Sequence, residues 1–452
     1  VCTSGPERAS ADRRTAGDYP DTGPVSLRDA LRESHGVLRL TSVRLLGQFG
    51  DGMFQAALSG AILFNPERQT DPLAIAAGFA VLLLPYSLIG PYAGALLDRW
   101  DRRQVLLTAN MLRAALIAVV SVGLLTGIRE TPLLLFALAV VGISRFTAAG
   151  VSAALPRVLA RAWLVPANSV FATIGSGCAG LGAAVSVTVI AVLGAGDYSS
   201  AVAVAVSAAA ALVCALLAAG FGAGVLGPEQ RAALTGRLRA IAAGLRTGAA
   251  AVWSSTTVTT AMIGIGTHRI AFGVNTLIMV LVLREAPADG VSVDSGLLGF
   301  GVAITATAAG MLVAAVIAPV LIPRLGRPRT VVLGLATATI VQLCLVTPVA
   351  LATTVGAAEH AHRLLLAGAF LFGLAGQTIK LTGDAAMQID IEDSRRGQVF
   401  ALQDTVFNIA FVLAIAVTAL IVPTNGRSLP VVLACAAIYS TGILAILANS
   451  RR

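Results

Sequence analysis

An all-α polytopic membrane protein of twelve transmembrane helices is predicted by three features of this chain. Long apolar runs recur along almost its whole length, charge is scarce, and the basic residues gather between the runs. Hydrophobic residues make up 56% of the 452 residues and charged residues only 12%, with a mean hydropathy of +0.84. A soluble globular chain carries about 25% charged residues. An apolar stretch of about 20 residues is what a helix needs to cross a bilayer. A closed barrel is excluded because the runs are continuous, not short segments of alternating polarity.

Residues 1–36 are polar, rich in Gly, Pro and both charge signs, and hold no apolar core; they read as a disordered leader and not as a cleaved signal peptide. The spans then follow in order at 37–64, 73–97, 104–127, 132–156, 167–194 and 199–226. A second set follows at 257–283, 294–322, 329–351, 363–389, 398–422 and 428–448. Gly and Pro inside them are tolerated as membrane helices allow. Four of the five cysteines, Cys178, Cys214, Cys344 and Cys435, lie inside apolar runs without metal-ligand or disulfide spacing.

Charge placement gives an orientation. Thirty-one of the 32 basic residues are Arg; the single Lys is Lys380. Counting Arg39 with the leader, 22 lie on the side of the N-terminus, against five on the other: Arg68, Arg129, Arg284, Arg363 and Arg427. Basic loops stay in the cytoplasm, so both termini are expected there, in a bacterial plasma (inner) membrane. The net charge of +9 is therefore topological, and no nucleic-acid partner is expected.

The break at 227–256 divides the chain into an N-terminal bundle (37–226) and a C-terminal bundle (257–452) of six spans each. Leu234, Leu238, Ile241 and Leu245 fall at helical spacing among arginines, which suits an amphipathic helix on the cytoplasmic face; a plain tether is the simpler reading. The halves also repeat. Gly94-Ala95-Leu96-Leu97-Asp98-Arg99-Trp100-Asp101-Arg102-Arg103 joins spans two and three, and Ile322-Pro323-Arg324-Leu325-Gly326-Arg327-Pro328-Arg329 joins spans eight and nine. Arg99 matches Arg324 and Arg102 matches Arg327, both 225 residues apart. Such repeats suggest transport by rocking of two pseudo-symmetric halves.

The first of these loops resembles the G-x-L-x-D-R-x-G-R-R signature of the major facilitator superfamily, with Asp101 in place of the second Gly. Leu38-Arg39-Leu40 through Asp51, the Leu155-Pro156 turn with Pro166-Ala167-Asn168-Ser169, and Arg395-Arg396-Gly397-Gln398-Val399-Phe400 are similar to its macrolide-efflux and enterobactin-exporter branch. The resemblance implies the major facilitator fold, a central cavity lined by helices one, four, seven and ten, and contact between the first loop and helix eleven. Antiporters of the family often carry a Gly-Pro pair in span five. Here Gly175 through Gly182 is Gly-rich without Pro, and tight helix packing explains it equally.

Ionisable residues inside the spans are Arg44, Asp51, Arg113, Arg145, His268, Arg269, Lys380, Asp384 and Asp404. A charge at the bilayer centre costs roughly 2.5–3.5 kcal/mol on insertion scales, so these groups must face one another or a wet cavity. Arg44, Gln48, Asp51 and Gln55 form one polar stripe on span one, and Gln377, Lys380, Asp384 and Gln388 another on span ten. Asp51 is the first candidate for proton coupling and Asp384 the second; a permanent pair of Asp51 with Arg113 or Arg145 is the competing reading. Gln48, Gln55, Arg113, Arg145, Arg269, Asn275, Gln377 and Lys380 are the substrate-binding candidates, since guanidinium and amide groups engage carboxylates and other acceptors. Arg44 is read as reaching to the cytoplasmic surface. His268 is either a proton relay or a packed, hydrogen-bonded residue.

Asp98, Arg99, Arg102, Arg103 and Asp404 are expected to form a cytoplasmic gate, with Asp98 at the positive N-terminal end of helix eleven. No nucleotide-binding loop, catalytic triad or metal constellation is visible, so neither enzyme activity nor a cofactor is expected. The sequence thus predicts a monomeric secondary transporter, with proton-coupled efflux of an amphipathic small molecule as the first reading. Uptake of an organic anion, lipid export and a non-transporting sensor are the alternatives.

Overall fold

The computed structural model describes residues 35–63, 72–97, 100–159, 164–227, 235–284, 296–352 and 355–451. In a bilayer every backbone polar group must be satisfied within the chain. The described residues accordingly form long helices and contain no strand. The first six are α1 (His35–Leu63), α2 (Pro72–Leu97), α3 (Arg102–Leu125), α4 (Glu130–Val158), α5 (Leu164–Leu193) and α6 (Asp197–Ala219). A linker helix α7 (Thr235–Ser254) leads to α8 (Thr256–Arg284) and α9 (Gly296–Leu325). The ninth rod is α10 (Arg327–Val341), a π-helical turn (Gln342–Val346) and α11 (Thr347–Leu351). The remaining helices are α12 (Val355–Asp390), α13 (Asp393–Ala419) and α14 (Leu429–Asn449). Among the described residues ten rods are long and apolar enough to cross a membrane; α1, with Arg39, Arg44 and Asp51, is not one of them, and α2 is apolar over the shorter stretch Pro72–Pro85.

Small residues set the close crossings. In α1 and α5, a methyl group on Gly182 would collide with the Phe49 carbonyl, and one on Gly52 with Ala179. In α9 and α12, Gly310 lies against the Phe370 carbonyl and Gly373 against Thr307. Glycine lets two backbones approach where lipid supplies no hydrophobic drive between helices. The Gly-rich stretch of span five therefore contributes packing through Gly182, whereas Gly177 and Gly180 face open space.

The two halves share apolar packing at one end of the bundle. One cluster joins Phe54, Leu58 and Ile62 of α1, Ile75 and Phe79 of α2 and Val120 and Leu124 of α3 to Leu277 and Leu281 of α8, Phe300 of α9 and Phe411 and Ile415 of α13. These residues occupy the end where α1 finishes and α2 begins. At the other end, which carries α7, the described buried residues form separate clusters, with α2 touching α7 across the halves. Val37, Leu40, Leu106, Leu155 and Cys214 form one cluster; Val252, Val258, Met387 and Val399 form another. Across the halves α2 packs along α13, with Phe79 and Phe411 edge to face at 6.5 Å between ring centroids.

Helix α7 belongs to the C-terminal half. Thr247 donates to the Gln398 Oε1 at 2.6 Å, and a methyl group on Gly248 would stand 3.1 Å from the Gln398 backbone. Ala251 and Val252 enter the core beside Val258 and Ala386. The linker is thus a helix with one face docked on α13 and its own half and the other exposed, more than a plain tether. Leu234 lies outside the described residues.

Candidate functional site

A buried ionic group lies in the N-terminal half. The Arg113 Nη2 lies 2.8 Å from the Asp51 Oδ1, and the Arg145 Nη2 lies 3.8 Å from the Asp51 Oδ2. Asp51 stands on α1, Arg113 on α3 and Arg145 on α4, so the group ties three helices together. Arg113 is only 1% exposed, with its guanidinium against the Asp51 carboxylate and beside Gly50, a position that does not suit the substrate contact expected of it. Arg145 is more open, at 15%. Gln48 and Gln55 keep their places on the α1 stripe, half-buried, and Gln48 packs against Gly175. Arg44 lies over the Phe171 ring at 5.7 Å, so it stacks within its half.

The C-terminal half holds a pocket between α8, α9, α12 and α13. Its polar lining is His268, Arg269, Gln377, Lys380, Gln403, Asp404 and Asn408; Phe272, Phe372, Phe407 and Met311 supply apolar walls. Lys380 bonds to the Asp384 Oδ2 at 2.7 Å one turn along α12, while its side chain stays 41% exposed. Arg269 of α8 and Asp404 of α13 both line the pocket. Asp404 therefore belongs to the pocket, with Lys380 and Asp384 in its field, and not to a gate at the helix ends. His268 is packed: it stacks on Phe272 at 5.7 Å, and its Nδ1 lies 3.4 Å from the Tyr439 hydroxyl. Phe272 in turn lies 6.0 Å from Phe411, so the pocket ends against the shared apolar cluster.

Asn275 is not a pocket residue. Its amide donates to the Gln342 Oε1 at 2.7 Å, and Gln342, fully buried, sits at the π turn and reaches the Val432 carbonyl at 3.4 Å. Nothing in the apolar pattern of span nine signals that turn. The pair instead joins α8, the ninth rod and α14. Gln403 and the three phenylalanines are pocket residues that the sequence pattern does not single out. Helical spacing from Asp404 along α13 is the signal that could have found Phe407 and Asn408, and Gln403 stands one turn before Phe407.

The loop arginines bind carbonyls of their own half. Arg102 donates to Ala153 O at 3.1 Å and Leu226 O at 3.2 Å, and Arg103 to Ala219 O at 3.0 Å. Arg39 joins them on Gly220 O. Cations there complement the negative C-terminal end of α6. Asp101, where the family signature has Gly, caps α3 by accepting from the Arg103 amide at 3.0 Å and also receives the Gly224 amide at 3.4 Å. In this conformation Arg102 and Arg103 thus hold α3, α4 and α6 together; Asp98 and Arg99 lie outside the described residues. In the second half Arg327 pairs with Asp390 at 2.9 Å, tying α10 to α12.

Two bundles of membrane-crossing helices that share an apolar cluster, each with charged residues in its own interior, fit a multi-pass membrane transporter. The chain belongs to the major facilitator superfamily (MFS). It is 41% identical over 426 residues, 93% of this chain and 92% of the relative, to an uncharacterized MFS-type transporter of Mycobacterium tuberculosis and, equally, to one of Mycobacterium bovis. No protein-family model matches it. Among solved structures it is similar to the nucleoside transporter NupG, with a TM-score of 0.62 at 14% identity, covering 92% of this chain and 99% of that one. It is also similar to a mutant of the peptide transporter POT in complex with alafosfalin, with a TM-score of 0.66 at 14% identity, covering 93% and 95%. These likenesses show the fold.

Proposed function

We propose that this protein exports an amphipathic small molecule in exchange for protons by alternating access, as a monomer in a bacterial plasma membrane. The observation that carries this reading is the state of its intramembrane carboxylates. Asp51 is paired with Arg113 at 2.8 Å, and Asp384 with Lys380 at 2.7 Å. At the end bearing α7, where the excess of arginine points to the cytoplasm, the buried apolar clusters of the two halves are separate among the described residues. Carboxylates each held by a cation inside the bundle suit a carrier that has delivered its protons and awaits cargo.

Protonation from the outer side would discharge Asp51 and leave two arginines facing one another. That favours a rearrangement of α1 against α3 and α4, because an unpaired buried charge is strongly disfavoured. Asp384 performs the same service in the second half, where its release frees Lys380. Arg269, Gln377, Lys380 and Asp404 bind the cargo in the pocket, with Arg145, Gln48 and Gln55 contributing from the first half. The gate at Asp98, Arg99, Arg102 and Arg103 would close the cytoplasmic side in the opposite state.

The test is substrate-induced proton flux in proteoliposomes under an imposed pH gradient, comparing the native chain with Asp51→Asn and Asp384→Asn. Loss of coupled flux in either variant with binding retained supports the assignment. Coupled flux that survives both substitutions sinks it, and proton and cargo moving in the same direction would replace export with uptake.

A further inference from the structure

Gln403 stands in the wall of the C-terminal pocket on α13, only 2% exposed, and its Oε1 is buried without a hydrogen-bond partner. Burying an acceptor unsatisfied is costly, and such a group calls for a partner. Asp404, the next residue, also lines the pocket. Together they set a buried, unpartnered acceptor beside a carboxylate in one wall of the pocket, chemistry that suits N–H donors.

Opposite charge is also available. Arg269 lines the same pocket from α8 and Lys380 from α12, the latter's ammonium held by Asp384 yet still 41% exposed. Counting Asp384, two cations stand with two carboxylates, so the pocket is neutral as a whole and carries both signs. A simple anion or a simple cation would satisfy one sign and leave the other. Phe272, Phe372 and Phe407 line the same pocket, and His268 is stacked on Phe272 with an interplanar angle of 24°. Flat rings favour a ring partner in stacked or edge-on contact. Gly376 lets the His268 ring pack directly against α12, since a methyl group there would collide with it.

We propose that the C-terminal pocket takes an aromatic zwitterion, with its amino group on Gln403 and Asp404, its acidic group on Lys380 and Arg269, and its ring among Phe272, Phe372 and Phe407. The inference rests on reading this pocket as the cargo site, and it assigns Gln403 as the residue that selects the amino end.

The experiment uses the purified full-length protein in detergent and four probes measured by isothermal titration: tryptophan, tryptamine, indole-3-propionate and leucine. Tryptophan carries ring, amine and carboxylate; each of the others lacks one. Tryptophan is expected to bind at least about tenfold more tightly than any of the three. Gln403→Leu should erase the preference of tryptophan over indole-3-propionate, whereas Gln403→Glu, which keeps the acceptor, should retain it and controls for folding. Equal binding of indole-3-propionate and tryptophan, equal binding of leucine and tryptophan, or no binding of any probe overturns the proposal. Binding needs no gradient, so failure of proton coupling leaves this result standing; export of a non-aromatic cargo without binding of the panel would reject the pocket assignment alone.

Discussion

Arg113 meets Asp51 at 2.8 Å with the two side chains 1% and 8% exposed, and that contact fixes α3 against α1 inside the first bundle. Removing one partner of a buried pair strands the other charge, at a cost of about 3–5 kcal/mol. Asp51→Asn should therefore lower thermal stability in detergent by about that amount. Because the loss comes from stranding Arg113, the double variant Asp51→Asn/Arg113→Gln should recover more than half of it. Strictly additive losses in the two single variants and the double would show that the residues do not act as a pair.

The close crossings predict a ranking of glycine substitutions. Gly182→Ala and Gly310→Ala each push a methyl group into a backbone carbonyl of the facing helix, so the helices must part. Gly177→Ala meets nothing within 4 Å. Overpacking typically costs about 1–3 kcal/mol, while Gly→Ala in open helix gains up to about 1 kcal/mol. Melting temperatures should fall for the first two and hold or rise for the third.

Docking of the linker helix can be read by proteolysis. Gly248→Leu places a bulky side chain where a methyl already stands 3.1 Å from Gln398. Trypsin should then cut at Arg246, an exposed residue on the docked helix, several-fold faster than in the native chain. An unchanged cutting rate would mean that α7 is held without the Gln398 contact.

The two matched arginines should differ in worth. Arg102 is 8% exposed and serves the Ala153 and Leu226 carbonyls, so Arg102→Gln leaves buried acceptors open and should cost about 1–3 kcal/mol. Arg327 and Asp390 are 26% and 21% exposed, and breaking a partly solvated pair by Arg327→Gln should cost under about 1 kcal/mol. Chemical denaturation of the two variants side by side measures the difference, and equal losses would refute it.

Much of the site is legible in one dimension, and the illegible part has a common cause. Polar residues in apolar runs announce themselves, so Asp51, Arg145, Arg269, Lys380 and Asp384 are marked by type alone. What each meets is not. Arg113 and Arg145 look alike in sequence, yet one is sealed against Asp51 and the other is partly open. Asn275 resembles a cavity residue until the π turn brings Gln342 to it. Asp404 reads as a gate residue because its helix is expected at the first loop; its depth along α13 puts it in the pocket instead.

The sequence by itself determined the all-helical membrane class, the two-fold repeat and the set of charges that must avoid lipid, because hydropathy and loop charge act locally along the chain. The tertiary structure decided which charges neutralise one another, which glycines touch carbonyls, where the halves meet and that the linker helix rides on α13. Those outcomes depend on the rotation and depth of each helix against its neighbours. Rotation and depth are set by side chains distant in sequence, so only the packed bundle fixes them.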